Sequence, residues 1–300
     1  MLKTLPADQT FLAPPEDRLA DLEGSKIAIQ LLPYEHTSSY HEGSFKGPKA
    51  IIEASHFVEF YDEETDSECY KEIGVATLEE TDFTNCVDAD AMQRIKEQTN
   101  ALLEKNKFVV SLGAEHTVTG GIVAAFKEKY PDMCVLQIDA HSDLREAYQG
   151  NPYSHASVMA RVHDMKVPMV QIGIRAQCKE EADLRKSSTI IKTWYAHDIH
   201  QNPNWIQESI EALGPNVYVT IDADGFDPSV APAVGTAEPG GLSWFQGLDL
   251  LKAVAASKNI IGFDIVEIAP REGDTLTEFT MAKLCYKFLS YLHHNNQILK

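Results

Sequence analysis

The chain has 300 residues, 44% of them hydrophobic, and its 45 acidic against 26 basic residues give a formal charge of −19. That is enough chain to bury a large core as one α/β domain or two smaller ones; the charge disfavours a nucleic-acid partner and favours small cations and divalent metals, though much of it also serves plain solubility. No apolar stretch approaches ~18 residues, the first residues lack an apolar leader core, and five scattered cysteines (Cys69, Cys86, Cys134, Cys178, Cys285) form no Cys-x-x-Cys pair, so no membrane partner, secretory leader, zinc ribbon or disulfide framework is expected, and a cytoplasmic location is.

Residues 1–25, with Pro6, Pro14 and Pro15, read as an irregular arm that packs on the body or on a neighbour. From residue 26 to 300 no Pro- or Ser-rich linker divides the chain, so one catalytic domain is expected. Apolar β-type runs fall at 26–32, 108–112, 133–138, 167–174, 189–194, 217–221 and 259–265, and helical patterns at 91–105, 117–130, 205–213, 244–257 and 277–292. Buried strands alternating with helices predict a three-layer αβα fold around a central, mostly parallel sheet. The acids Asp62-Glu63-Glu64 and Glu79-Glu80 read as solvated loop or helix-end charges.

In such sheets ligands bind beyond the carboxyl ends of the strands. His116 follows the second run; Asp139, His141 and Asp143 follow the third; Arg175 follows the fourth; Asp222 and Asp224 follow the sixth; Asp264 and Glu267 end the last. Period-2 alternation projects Asp139, His141 and Asp143 together, and Asp222 with Asp224. Four converging carboxylates repel one another unless cations sit among them, and two dications match their charge. His116 in its glycine-started turn is weak alone; Asp-x-His-x-Asp followed by Asp-x-Asp-x-x-Asp-Pro after a second strand is strong.

The stretches GAEHT at 113–117, DAHSD at 139–143, SHAS at 154–157, TIDADGFDP at 220–228 and GFDIVEIAP at 262–270, with a glycine–proline turn at 43–48, resemble the ureohydrolase family of arginases and agmatinases over residues 26 to the C-terminus. The resemblance implies two Mn²⁺ per subunit. One would be held by His116, Asp139, Asp143 and Asp222, the other by Asp139, His141, Asp222 and Asp224, with Asp139 and Asp222 bridging. An oxygen-rich set with one imidazole per metal suits Mn²⁺, though raw affinity favours other divalent ions. Such a pair acidifies water for attack on a guanidinium carbon. The resemblance further implies that Asp143 relays the proton, that His155 serves the leaving amine and that Glu267 clamps the guanidinium. A trimer or hexamer is the family's habit, and the arm or the segment from His56 to Tyr61 could serve its interface.

Two departures stand out. GAEHT replaces the commoner Gly-Asp-His-Ser pattern, leaving Glu115 able to orient His116 or a neighbour. Arg145 stands where arginases place an asparagine that holds the amino-acid head, which points away from free arginine and toward agmatine, with putrescine and urea as products and polyamine synthesis as the setting. Aminopropylagmatine, guanidinobutyrate, guanidine and arginine are the alternatives. Glu146, Tyr148, Tyr153, Glu180, Glu181 and Trp244 are candidates for the mouth that meets the far ammonium; Arg175 reads as a loop organiser, Asp227 as a brace for Asp224 and Thr236 as a support for Glu267. A one-zinc amide hydrolase would need a tandem histidine pair at the site, and His293-His294 lies in the last helix. A non-catalytic metal-binding homologue should have lost a ligand, and none is missing.

Overall fold

The computed structural model describes residues 2–298; Met1, Leu299 and Lys300, at the ends of the expected arm and domain, lie outside it. Eight strands form one sheet: β1 Ile27–Leu32, β2 Val75–Glu80, β3 Phe108–Gly113, β4 Cys134–Ile138, β5 Met169–Ile174, β6 Ile191–Tyr195, β7 Asn216–Asp222 and β8 Asn259–Val266. Their order is β2-β1-β3-β8-β7-β4-β5-β6, and every pair is parallel. The middle strands are buried on both faces, which is why they read as unbroken apolar runs.

The helices are α1 Gly47–Ser55, α2 Tyr70–Ile73, α3 Asp88–Glu104, α4 Val118–Lys129, α5 Val158–Asp164, α6 Lys179–Ser187, α7 Ala196–Gln201, α8 Trp205–Ala212, α9 Trp244–Ser257 and α10 Leu276–His294. One core layer joins α1, α8, α9 and α10 to one face of the sheet; the other joins α3, α4 and α5 to the opposite face. A capping box starts α9: Ser243 Oγ accepts from Gln246 N while Gln246 Oε1 accepts from Ser243 N.

The sequence pattern missed β2. It is one of the two edge strands, buried for four residues and ending in two exposed glutamates. Residues of the N-terminal arm cover that edge: Leu5 N donates to Thr77 O (2.8 Å) and Glu79 N to Lys3 O (2.9 Å), Thr10 Oγ1 donates to Thr77 Oγ1 (2.7 Å), and Phe11 is wholly buried. Pairing removes a sticky edge. The arm therefore packs on its own subunit. The acids at 62–64 also differ from expectation. Asp62, Glu63 and Glu64 close on the buried Lys287 ammonium at 2.9, 3.0 and 2.9 Å, tying this loop to α10; only Glu63 of the three is mostly exposed.

Candidate metal centre and active site

Of the residues expected at strand ends, the six candidate ligands and Glu267 converge beyond the carboxyl edge of β3, β8, β7 and β4. They do so by another route than strand alternation. β4 stops at Ile138, and Asp139, His141 and Asp143 are turned inward by the loop that follows, with Asp143 in the left-handed region (φ 53°). Asp222 closes β7, but Asp224 sits in a single 3-10 turn, Ala223–Gly225. Gly225 has to be glycine: a Cβ there would lie 2.7 Å from Asp139 N and 2.9 Å from Ile138 C. This close approach of two backbones brings the β4 and β7 carboxylates together.

His116 is buried, and its Nδ1 stands 3.0 Å from Asp139 Oδ2, 3.1 Å from Asp143 Oδ2 and 3.4 Å from Asp222 Oδ2. Yet Nδ1 has no hydrogen-bond partner. A buried ring nitrogen surrounded by carboxylate oxygens but bonded to none of them is the signature of a ligand set pointing at a common centre. His141 Nδ1 repeats the arrangement, 3.0 Å from Asp224 Oδ2 and 3.7 Å from Asp139 Oδ1. His116, Asp139 and Asp222 make one tight group and Asp139, His141 and Asp224 another, sharing Asp139. Asp143 joins the first through its 3.1 Å approach to His116. The donor set, carboxylates with one imidazole per group and no thiolate, fits two hard divalent cations.

The electrostatics agree. Burial, then Asp139, pushes the Asp143 carboxyl up to about 7; burial, then Asp224 and Asp139, raises Asp222 well above its ordinary range. Burial opposes a charge on either histidine, but the facing carboxylates hold both imidazoles well above their usual pKa. Without cations the cluster must take up protons to exist; dications would replace them.

The ligands are held from behind. His116 Nε2 donates to Thr220 Oγ1 (2.9 Å), which donates to Asp264 Oδ1 (2.6 Å). Asp264 also accepts from Tyr218 Oη (2.8 Å) and Thr119 Oγ1 (2.9 Å). This chain puts the proton on Nε2 and leaves Nδ1 bare. Asp264, counted among the strand-end acids, is thus a buried support and faces no cavity. Asp139 accepts from His141 N (2.6 Å) and Gln137 Nε2 (2.7 Å). Arg175 organises loops as expected, but through carbonyls: its Nη2 donates to Asp224 O (2.6 Å) and Glu238 O (2.7 Å). Asp227 makes no bond to Asp224; it accepts from Ser229 N (3.0 Å) and Gly240 N (2.9 Å) and pins the loop between them.

Glu267 is held in the left-handed region (φ 65°) just past β8, its N donating to Ala114 O (2.7 Å) and its Oε1 accepting from His116 N (2.7 Å). Burial, then Glu115, raises its pKa well above the carboxylate range. With Asp143 it makes two non-glycine residues in the left-handed region at one site. A cavity of about 190 Å³ opens onto His141, Asp143, Asp222, Asp224, His155 and Glu267. Gly235 and Thr236 line it too, and a Cβ on Gly235 would lie 3.7 Å from Glu267 Oε2.

Of the mouth candidates, only Tyr148 lines this cavity, under the Arg145 guanidinium at 5.3 Å. Glu181 is buried and accepts from Leu144 N (2.9 Å) and Ser142 Oγ (3.1 Å), so it braces the ligand loop. Glu146 and Glu180 are exposed on the surface, Glu146 near Arg161. Tyr153 lines a different cleft with Met92 and Val158, and Trp244 packs on the core. Glu115 does not touch the His116 ring; it turns the other way, onto residues 36–38. The loop 38–41 over the cavity and Glu238, whose Oε1 is 4.0 Å from His141 Nε2, carried no sequence signal.

A sequence profile of the arginase family matches residues 25–290. The chain belongs to the arginase family. It is 40% identical over 271 residues to a protein of Synechocystis sp. named N(1)-aminopropylagmatine ureohydrolase, with 88% of each chain covered. It is 36% identical to a Bacillus cereus protein named agmatinase, with 83% of this chain and 85% of that one covered. The agmatine ureohydrolase of Thermoplasma volcanium superposes with a TM-score of 0.80 at 28% identity, covering 92% of this chain and 93% of the other. The protein is therefore a ureohydrolase, a hydrolase of amidine C–N bonds, from a family that depends on a binuclear metal centre, and its candidate ligands are in place. Among the described residues no helix is long and apolar enough to cross a membrane.

Proposed function

We propose that the protein hydrolyses the guanidinium of an agmatine-type cation, agmatine itself or its N(1)-aminopropyl derivative, to urea and the free polyamine, using two Mn²⁺. The sequence ranks agmatine first; the relatives named for the aminopropyl compound, at 40% and 36% identity, put that longer substrate level with it or ahead. The observation that carries the reading is the partly buried Glu267 carboxylate facing the same small cavity as the two ligand groups. A planar guanidinium satisfies such a carboxylate with paired, charge-assisted hydrogen bonds. Arg145 also lines this cavity, its Nε 3.9 Å from Glu181 Oε2 and its guanidinium 5.3 Å from the centre of the Tyr148 ring.

His116, Asp139, Asp143 and Asp222 would hold one metal, and Asp139, His141, Asp222 and Asp224 the other. When bound, the pair supplies Lewis acidity that brings a water's pKa toward ~7. Glu267 fixes the guanidinium carbon in the path of that water. Asp143 takes the water's proton. His155, at the cavity wall, returns a proton to the departing amine as the C–N bond breaks, so that water is consumed and urea and an ammonium leave. A homo-oligomer is part of this reading; Phe57 and Tyr61 lie largely exposed in the segment expected at an interface.

Urea release by the Mn²⁺-loaded protein should be measured with aminopropylagmatine, agmatine, guanidinobutyrate, guanidine and arginine. Turnover of the first two, lost on chelation, is expected. A preference for arginine would overturn the substrate reading, and silence across the panel with two metals bound would overturn the catalytic one.

A further inference from the structure

Glu115 is wholly buried although it sits in the turn that presents a metal ligand. Its Oε1 accepts from His36 N (2.7 Å) and Thr37 N. Its Oε2 accepts from Thr37 Oγ1 (2.7 Å) and Thr117 Oγ1 (3.2 Å). The carboxylate therefore fastens the 36–38 segment, far away in sequence, over the cavity. The consequence falls on His155. Thr37 Oγ1 lies 3.0 Å from His155 Nδ1 and 3.1 Å from His155 N.

A hydroxyl has one hydrogen to give and two lone pairs to receive with. An ionised carboxylate can only accept, so the Thr37 hydrogen goes to Glu115. Both remaining positions then face His155: one takes its backbone N–H, and the other takes Nδ1, which must carry a hydrogen. Ser154 Oγ, the other hydroxyl near Nδ1, is at 3.5 Å, against 3.0 Å for Thr37 Oγ1, so Thr37 is the partner that sets Nδ1. The neutral ring is thereby left with a bare Nε2, near Ser39 Oγ at 3.4 Å, on a residue that lines the cavity.

We propose that Glu115 and Thr37 are positioning residues that fix the ring and tautomer of His155, so that Nε2 is the atom that carries the proton to the leaving amine. The proposal rests on the hydrolytic role given to His155 above. It also explains why the site tolerates a glutamate at position 115: the acid works on the loop and on His155, while His116 is oriented separately through Thr220 and Asp264. The three groups form a relay in which a carboxylate polarises a hydroxyl and the hydroxyl orients an imidazole, the arrangement by which a buried acid sets a histidine tautomer without touching it.

The test uses Thr37→Val and Thr37→Ser in the manganese-loaded protein, with whichever guanidino substrate it turns over. Valine keeps the shape and the backbone N–H to Glu115 and removes only the hydroxyl; serine keeps the hydroxyl. General acid catalysis supplies ~10²–10⁴-fold, so a mis-set tautomer should lower kcat by about 10- to 100-fold in Thr37→Val, with KM within about threefold of the parent. Two metals should stay bound, and Thr37→Ser should recover most of the rate. A purely structural pin would move KM and metal content with kcat and would not distinguish the two variants. A second measurement is independent of turnover: two-bond ¹⁵N–¹H correlation of His155 in zinc-loaded protein. Nδ1 should be protonated in the parent and Thr37→Ser, and the preference lost in Thr37→Val. If Thr37→Val does not fold, Thr37→Ala takes its place. A parent ring protonated at Nε2, or an unchanged kcat in the variant without the hydroxyl, overturns the proposal. A protein silent on every substrate but with the Nδ1–H tautomer set by Thr37 would keep the relay and discard the hydrolytic role.

Discussion

Asp264→Asn should weaken metal binding without altering a ligand. The carboxylate is wholly buried and accepts three hydroxyls, Thr220 on Oδ1 at 2.6 Å and Tyr218 and Thr119 on Oδ2 at 2.8 and 2.9 Å. Asparagine keeps one accepting oxygen. If that oxygen stays with Tyr218 and Thr119, the amide confronts Thr220 with a donor, and the Thr220 hydroxyl turns to the nearer of its two other neighbours, His116 Nε2 at 2.9 Å, ahead of Thr119 Oγ1 at 3.3 Å. A hydroxyl that donates to Nε2 drives the imidazole proton onto Nδ1, the nitrogen that faces the carboxylates. Restoring the metal-binding tautomer then leaves two donors opposed inside the core, which costs about 1–3 kcal/mol. That is a loss on the order of 10- to 100-fold in metal affinity, the range seen when an outer partner of a histidine ligand is removed. Calorimetric titration of Mn²⁺ into chelator-treated protein measures it directly. Tyr218→Phe is the control, since it removes one donor to Oδ2 and leaves Thr220 alone; it should cost about 0.5–1.5 kcal/mol of stability and little metal affinity. Equal metal affinity in parent and Asp264→Asn would refute the argument that this chain sets the His116 tautomer.

Glu267→Gln should reduce kcat/KM for a guanidinium substrate by on the order of 10²–10³-fold, because a neutral amide cannot accept two charge-assisted bonds; urea assays with metal content checked in parallel decide it, and an unchanged rate would remove Glu267 from the substrate seat. Lys287→Met should destabilise the fold by about 3–5 kcal/mol in urea unfolding, since it strands Asp62 and Glu64 around a buried position. Although burial opposes it, bonds from Lys252, Lys287 and Tyr291 hold Glu64 down to about 2 from an ordinary 4.5. Its folded pKa is depressed, so its contribution is present above pH 4.5 and is lost as pH falls toward 2, on the order of 2 kcal/mol after allowing for its partial exposure. Acid unfolding of the parent should show that loss, and Lys287→Met a smaller one, since Lys252 and Tyr291 still bond Glu64. Gly225→Ala should cost about 1–3 kcal/mol through its clash with the Asp139 backbone, and should weaken metal binding in the same protein; loss of stability with full metal affinity would mean that the β4–β7 approach does not shape the site.

What the sequence made legible is what a parallel sheet makes regular. Central strands buried on both faces are apolar runs, and their carboxyl ends lie at one edge, so the six candidate ligands stand out by position and residue type, whereas His155 and Glu267 are singled out through the family resemblance. Where local regularity stops, the reading stops too. β2 was missed because an edge strand is only half apolar, and α6 because a helix with one buried residue, Glu181, carries no periodic stripe. The convergence of Asp139, His141 and Asp143 was expected from strand alternation, but the loop after β4 achieves it through a left-handed Asp143. Neither Glu115's grip on Thr37 nor Asp264's on Thr220 could be read locally, since the first spans 78 positions and the second 44. The two cases share a cause. A ligand must face the site and so falls at a strand end, where topology announces it. A residue that orients the ligand has only to be buried and within reach, and any element that packs behind the site can supply it. The ligand set is therefore the part of such a site that sequence specifies openly, while the proton positions on His116 and His155, on which the chemistry turns, are decided by contacts that only the folded chain brings together.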